Sequence, residues 1–368
     1  MKSTDVFVVG GGPAGLAAGI AARQQGLQVV VADGAEPPID KACGEGLMPD
    51  ALQALAGLGI TLSPGGGYPF CGIRFLSSGL AADAMLPLGG VGISFRRTAL
   101  HRILAERAAA DGVELLWRTA VTGISGEEVR LGNHSVHAKW IVGADGANSR
   151  VRSWLGLKPR ARTALRNAFR QHYRVKPWSD HMEVYWGDRS QAYATGVSGE
   201  EVCVAVSSHD AKLRVEQALL ELPGLHDRLR GAEIVSSERG AITANRTLKR
   251  VYRGNVALIG DASGTVDAIT GQGLGLAFSQ AVSLAKCFCA GNLQAYQAEH
   301  RHLARRPLLM GRMMLNLDER PWLQRRTLQV FRQKPEIFER LLAFHLGALP
   351  PKSVALDGIS LGWGLLTA

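Results

Sequence analysis

The chain has 368 residues, of which 46% are hydrophobic and 20% charged. This is an ordinary globular composition, enough for a large core and two domains, and it leaves no low-complexity tract. The net charge of +10 favours an anionic ligand, nucleic acid or a membrane surface. Half of that excess lies between Glu299 and His345, where ten Lys/Arg face five Asp/Glu.

Five cysteines, Cys43, Cys71, Cys203, Cys287 and Cys289, are odd in number and irregular in spacing. They do not read as a disulfide framework, and a reduced compartment is the simplest setting. Cys287 and Cys289 stand two apart in an expected helix, on different faces, so they do not share a metal, and no metal site is expected. The chain enters a strand at once, without the order of segments that marks a secretory signal. No apolar run reaches the roughly 20 residues of a membrane span. A cytoplasmic protein is expected.

Val6 to Gly10 is a short apolar run rich in Val, as in a strand buried on both faces. A glycine turn follows, then an Ala-rich helix from Pro13 to Gln25 that stops at Gly26. Leu27 to Asp33 is the second strand. Ala99 to Ala110 reads as a helix, and Val113 to Trp117 and Trp140 to Asp145 as strands. From Arg166 to Ser208, alternating β-formers separated by Gly, Ser and Asp describe a mostly antiparallel sheet. Asn255 to Ala262 returns to buried-strand character, and Gln272 to Ala290 is a long apolar helix. The rest is helical, with breaks expected at Pro307, Pro321, Pro335 and Pro350-Pro351.

Gly10-x-Gly12-x-x-Gly15 lies between the first strand and its helix. Gly10 permits the tight turn, Gly12 lets the backbone approach a pyrophosphate, and Gly15 lets helix and strand pack closely. The helix N-terminus favours the phosphate charge. Asp33, 23 residues after Gly10, ends the second strand, where an acid accepts hydrogen bonds from ribose hydroxyls. Strand, helix and acid together indicate a dinucleotide but leave NAD and FAD both open.

Two later motifs separate them. Gly143-Ala144-Asp145-Gly146-Ala147-Asn148-Ser149-Arg150-Val151-Arg152 and Gly260-Asp261-Ala262-Ser263-Gly264 follow the first in order. Together the three resemble the flavoprotein aromatic-hydroxylase superfamily, of p-hydroxybenzoate hydroxylase fold. That group also holds geranylgeranyl reductases, a branch this chain is close to, and flavin-dependent halogenases. The resemblance implies an α/β fold: a Rossmann-type FAD domain in three ββα layers, an inserted, mostly antiparallel substrate sheet, and C-terminal helices. The expected boundaries are 1–71, 92–160 and 240–290 for the FAD domain, 72–91 and 161–239 for the substrate domain, and 291–368 for the helical region.

It further implies non-covalent FAD. Asp261 would hold the ribityl chain, and Asp145 with Gly146 would lie near the pyrophosphate. Gly271, Gly273 and Leu274 open a helix whose free N–H groups suit negative charge at the flavin edge. The expected contacts also include Gly10, Gly12, Pro13, Ala14, Gly15, Asp33, Gly34 and Val121, with Arg97 at the phosphate or adenosine. Lys41-Ala42-Cys43-Gly44-Glu45-Gly46 resembles the Cys-Gly turn that packs near the ring in the reductase branch. This makes Cys43 a weak catalytic candidate, although a small buried residue is the simpler reading. No other catalytic residue is nominated. His172, His181, Tyr173 and Tyr193 are possible acid/base groups.

For the reaction, the expectation is a monooxygenase using NADH or NADPH and O2 through a flavin C4a-hydroperoxide, on a small apolar or aromatic substrate. Tyr185-Trp186 does not match the Tyr-x-x-Trp-x-Phe-Pro element of the reductase branch. The alternative is a geranylgeranyl reductase-like enzyme acting on an isoprenoid or lipid. A halogenase is disfavoured, since no two Trp stand two residues apart. The basic C-terminal helices could touch a membrane surface or simply cap the substrate domain. No nucleic-acid module is recognisable.

Overall fold

The computed structural model describes residues 2–162, 165–354, 357–358 and 362. The expected helical region therefore extends, at its far end, outside the described residues.

The first sheet is built around strand Lys2–Val9, which pairs in parallel with Val29–Ala32 on one side and His134–Gly143 on the other. Its order continues to Glu114–Leu116 at one edge and through Val256–Leu258 to Tyr252–Arg253 at the other. Alternation along the first strand separates two cores. Val6 and Val8 pack with Leu16, Ile20 and Phe278, on the side of helices Pro13–Gln24 and Gly273–Cys289. Phe7 and Val9 pack with Val129, Ile141 and Leu258, beneath the hairpin formed by Gly123–Ser125 and Glu128–Leu131. Period-2 side chains on a strand covered on both faces thus give the three layers, hairpin, sheet and helices.

The second sheet runs Glu233–Ile234, Arg166–Arg174, Glu201–Ser208, Ser190–Ser198, His181–Trp186, Gly72–Ser77, Leu80–Met85. Strand Arg239–Thr243 also pairs with Arg166–Arg174. All of these pairings are antiparallel except His181–Trp186 with Gly72–Ser77. Phe169 and Tyr173 face helices Val215–Leu220 and Pro223–Arg228. The opposite face of that strand carries Arg166, Ala168, Arg170 and His172, turned toward the first domain.

One expectation is corrected. Pro307 does not break the chain: helix Leu293–Asp318 runs through it. Tyr296, His300, Ala304, Pro307, Gly311 and Leu315 form one buried stripe along that helix. Packing along the stripe outweighs the lost N–H bond of a single proline. Pro321 and Pro335 instead open helices Pro321–Gln333 and Pro335–His345, at positions where the missing N–H costs nothing. Among the described residues, no helix is long and apolar enough to cross a membrane.

Candidate active site

A cavity of about 610 Å³ opens where the parallel strands of the first sheet end. Gly10, Asp33, Ala144 and Asp261, each just beyond a different strand, all line it. The carboxyl edge of a parallel sheet is where this architecture receives a ligand.

Of the expected contacts, Gly10, Gly12, Pro13, Ala14, Asp33 and Gly34 line this cavity. So do Lys41, Cys43, Gly44, Arg97 and Val121, and also Asp145, Gly146, Asp261, Gly271, Gly273 and Leu274. Gly15 does not; it packs against the turn itself, where a Cβ would stand 1.8 Å from the Gly10 carbonyl oxygen. Gly12 has nothing within 4 Å of an added Cβ, so its backbone is open to a ligand.

The supporting contacts are less visible in sequence. Asp33 is committed on both oxygens, accepting Gly11 N–H at 2.7 Å and Ala35 N–H at 2.8 Å. Fully buried His101 sits 2.8 Å from the Gly11 carbonyl, so Nε2 donates. Burial lowers the pKa of His101, which keeps it neutral. Asp145 Oδ2 accepts Arg150 and Val151 N–H at 2.7 and 3.1 Å, capping the short helix Arg150–Trp154. Its Oδ1 and the Arg97 Nε are buried without partners. Lys41 Nζ meets Asp261 Oδ2 at 2.7 Å across the cavity mouth. A glycine cradle, carboxylates and uncommitted polar atoms of both signs are the donor set that a dinucleotide with a ribityl chain calls for.

Opposite the glycine edge stands the second sheet, contributing Ala168, Met182, Tyr193, Ala205 and Ser207. Two turns join the walls. Residues 265–271 run along one side. Asp267 Oδ1 accepts Ile269 N–H at 3.1 Å there and pairs with buried Arg166 at 3.0 Å, while His345 Nε2 donates to the Thr270 carbonyl at 2.9 Å. Gly271, at φ 65°, takes the left-handed turn into helix Gly273–Cys289.

Residues 39–46 form the other side. Glu45 lines the cavity at φ 64°. Its Oε1 accepts Arg97 N–H at 2.9 Å, and its Oε2 lies 2.7 Å from His172 Nε2. The Arg170 guanidinium stands 3.8 Å from the same carboxylate and also binds Asp40. Cys43 Sγ accepts Glu45 N–H at 3.4 Å, and the buried Cys203 thiol, its pKa pushed well up by burial, donates to the Cys43 carbonyl at 3.8 Å.

The four acid/base candidates separate. Tyr193 lines the cavity, hydrogen-bonds Gln191 at 3.3 Å, and is pushed to a high pKa by burial. His172 lies behind Glu45. Tyr173 faces the outer helices, and His181, bound to Asp180 at 2.7 Å, is not part of the cavity wall. Glu45 escaped sequence reasoning because a lone Glu between glycines carries no periodic signal.

Residues 3–302 match the protein family described as FAD binding domain. The menaquinone reductase of Mycolicibacterium smegmatis is 29% identical over 322 residues, covering 80% of this chain and 78% of that protein. The digeranylgeranylglycerophospholipid reductase of Methanocella arvoryzae is 27% identical over 341 residues, covering 82% and 84%. Among solved structures, a flavoprotein/dehydrogenase from Cytophaga hutchinsonii superposes with a TM-score of 0.81 at 17% identity over the whole of both chains. The 2-methyl-3-hydroxypyridine-5-carboxylic acid oxygenase does so with 0.75 at 24% identity, covering 87% of this chain and 93% of that one. At these identities the structural likenesses establish the fold alone.

Proposed function

We propose, from the premise that this chain belongs to the FAD binding domain family and is an FAD-dependent oxidoreductase, that it reduces a carbon–carbon double bond in an apolar, isoprenoid-bearing substrate. One observation carries this reading: the Cys43–Gly46 turn, the element that resembles the reductase branch, lies on the cavity wall between the glycine edge and the second sheet. The reductase names of relatives matching four-fifths of the chain support it. Bound FAD would supply the hydride chemistry, with NADH or NADPH as the proposed electron source. The protein's share is to bind, orient and exclude water. The sites named above, including Asp33, Asp145, Asp261 and the residues 271–274, are the proposed FAD contacts. Met182, Tyr193 and Ala205 form the proposed substrate wall.

Peripheral contact with a lipid surface belongs to the same proposal. Leu309, Met313 and Trp322 are exposed on the basic C-terminal helices, and a lipid substrate must be drawn from a membrane. A monooxygenase, the reading that the sequence alone favours, is kept as the second one, because Tyr185-Trp186 lacks the reductase element in the substrate sheet. One experiment separates them. Chemically reduced enzyme is incubated without oxygen with menaquinone and, separately, with a geranylgeranyl lipid. The reductase reading expects a product heavier by two hydrogens per bond, a gain that persists after any quinol formed has been reoxidised in air. A product carrying one added oxygen, formed only in air, would replace it with the monooxygenase.

A further inference from the structure

The segment Gly44–Glu45–Gly46 places a glutamate, and not either neighbouring glycine, at the left-handed backbone position. A non-glycine residue there is strained, and such a residue persists only where its side chain is held. Glu45 is held by groups far apart in sequence. His172, 127 residues away on the second sheet, reaches one oxygen at 2.7 Å; the first N–H of helix Arg97–Ala110 reaches the other at 2.9 Å.

The hydrogen positions follow from the partners. Arg170 can only donate, and it approaches His172 Nδ1 at 3.2 Å. Ser236 Oγ accepts the His172 backbone N–H at 3.0 Å, which leaves its own hydrogen for Nδ1 at 2.8 Å. Nδ1 therefore accepts, and Nε2 carries the hydrogen given to Glu45. The imidazole is fixed on both sides in one tautomer.

A plain fastening of the turn to the sheet already exists, because Asp40 pairs with both Arg170 and Arg239. The Glu45–His172 bond adds something different: a buried carboxylate of fixed orientation on the wall of the cofactor cavity. We propose that His172 is a positioning residue, which through its Nε2–H bond holds Glu45 and the strained Cys43–Gly46 turn so that the carboxylate acts as a fixed negative charge beside the flavin. The inference rests on this cavity holding the flavin and not on which substrate is turned over. A fixed negative charge opposes the gain of charge on reduction, so it lowers the affinity of the site for the reduced cofactor relative to the oxidised one.

The test is the reduction potential and absorption spectrum of bound flavin in the full chain, measured against dyes without substrate. Glu45→Gln removes the charge and should raise the potential. His172→Leu removes the donor that partly neutralises the carboxylate and should lower it. His172→Gln, whose amide can donate again, should return it toward the wild-type value. Opposite shifts with rescue support the proposal. Unchanged potential and spectrum in all three, with only a lower unfolding midpoint, would overturn it and leave the pair a structural fastening. If His172→Leu fails to fold, Glu45→Gln, which keeps an acceptor for His172, decides alone: an unshifted potential sinks the idea. Loss of the proposed reductase activity with these shifts intact would count against the substrate assignment only.

Discussion

Arg166 and Asp267 meet at 3.0 Å with neither side chain exposed, and this contact joins the start of strand Arg166–Arg174 to the 265–271 turn along the cavity. Asp318 approaches the same guanidinium at 3.6 Å, with its own pKa raised by burial. Removing one member of a buried pair strands the other charge, at about 3–5 kcal/mol. Arg166→Met should therefore destabilise the fold by about that much and loosen flavin binding, because Asp267 also orders residues 268–270. The double change Arg166→Met with Asp267→Leu should recover much of the stability. Urea unfolding of both variants checks this, and a single variant within about 1 kcal/mol of wild type would show the pair to be dispensable.

Asp261 behaves differently. Its pairing with Lys41 is formed by side chains 42% and 38% exposed, where an ion pair contributes under about 1 kcal/mol. Asp261→Ala should leave the unfolding midpoint nearly unchanged yet lower the flavin bound per chain markedly. Flavin absorbance relative to protein is the measurement, and full occupancy would remove Asp261 from the set of cofactor contacts.

Gly15→Ala should do the reverse of a mild change. The added carbon would stand 1.8 Å from Gly10 O and 3.3 Å from the Ala144 side chain. Helix Pro13–Gln24 would have to move off the sheet, lowering both the melting temperature and flavin occupancy. A holoenzyme that melts like wild type would contradict the close packing described.

Stability should also fall on acidification through one identifiable group. His300 Nε2 donates to Ser263 Oγ at 2.8 Å, and burial lowers its pKa to about 4 from 6.5. Between those values the unfolded chain binds the proton and the folded chain does not, so stability rises with pH. It is complete above about 6.5 and is lost progressively as pH falls toward about 4, by about 3 kcal/mol over that window. His300→Gln should flatten this part of the stability–pH curve, as read by denaturant midpoints at pH 4.5 and 7.5. An unchanged slope would assign the acid sensitivity to another group.

What sequence made legible was local. Gly10, Gly12 and Gly15 sit between a strand and a helix, and Asp33 ends the next strand, so spacing alone located one wall of the cavity. Asp261 and Gly271 became readable through resemblance. The contacts that set the site's shape were hidden because they are long-range and polar. Arg166 with Asp267, and Glu45 with His172, lie 101 and 127 residues apart. In sequence, a charged residue on a strand reads as solvated, and only the packed fold reveals that Arg166 and Arg170 are 0% and 2% exposed. Pro307 misled for a related reason: its local rule was overridden by burial along one helix face. The choice between oxygenation and reduction was barely legible, since both chemistries use the same glycines and carboxylates and the two distinguishing elements, the Cys43-Gly44 turn and Tyr185-Trp186, point opposite ways.

The bond from His345 to the Thr270 carbonyl links helix Pro335–His345 to the 265–271 turn along the cavity. Thermodynamic linkage runs both ways through such a contact. A cofactor that stiffens residues 267–271 must also raise the opening free energy of helix Pro335–His345, some 70 residues downstream in the chain. Backbone amides of that helix should thus exchange with deuterium more slowly as flavin is added, making a distant, cofactor-free segment a reporter of occupancy.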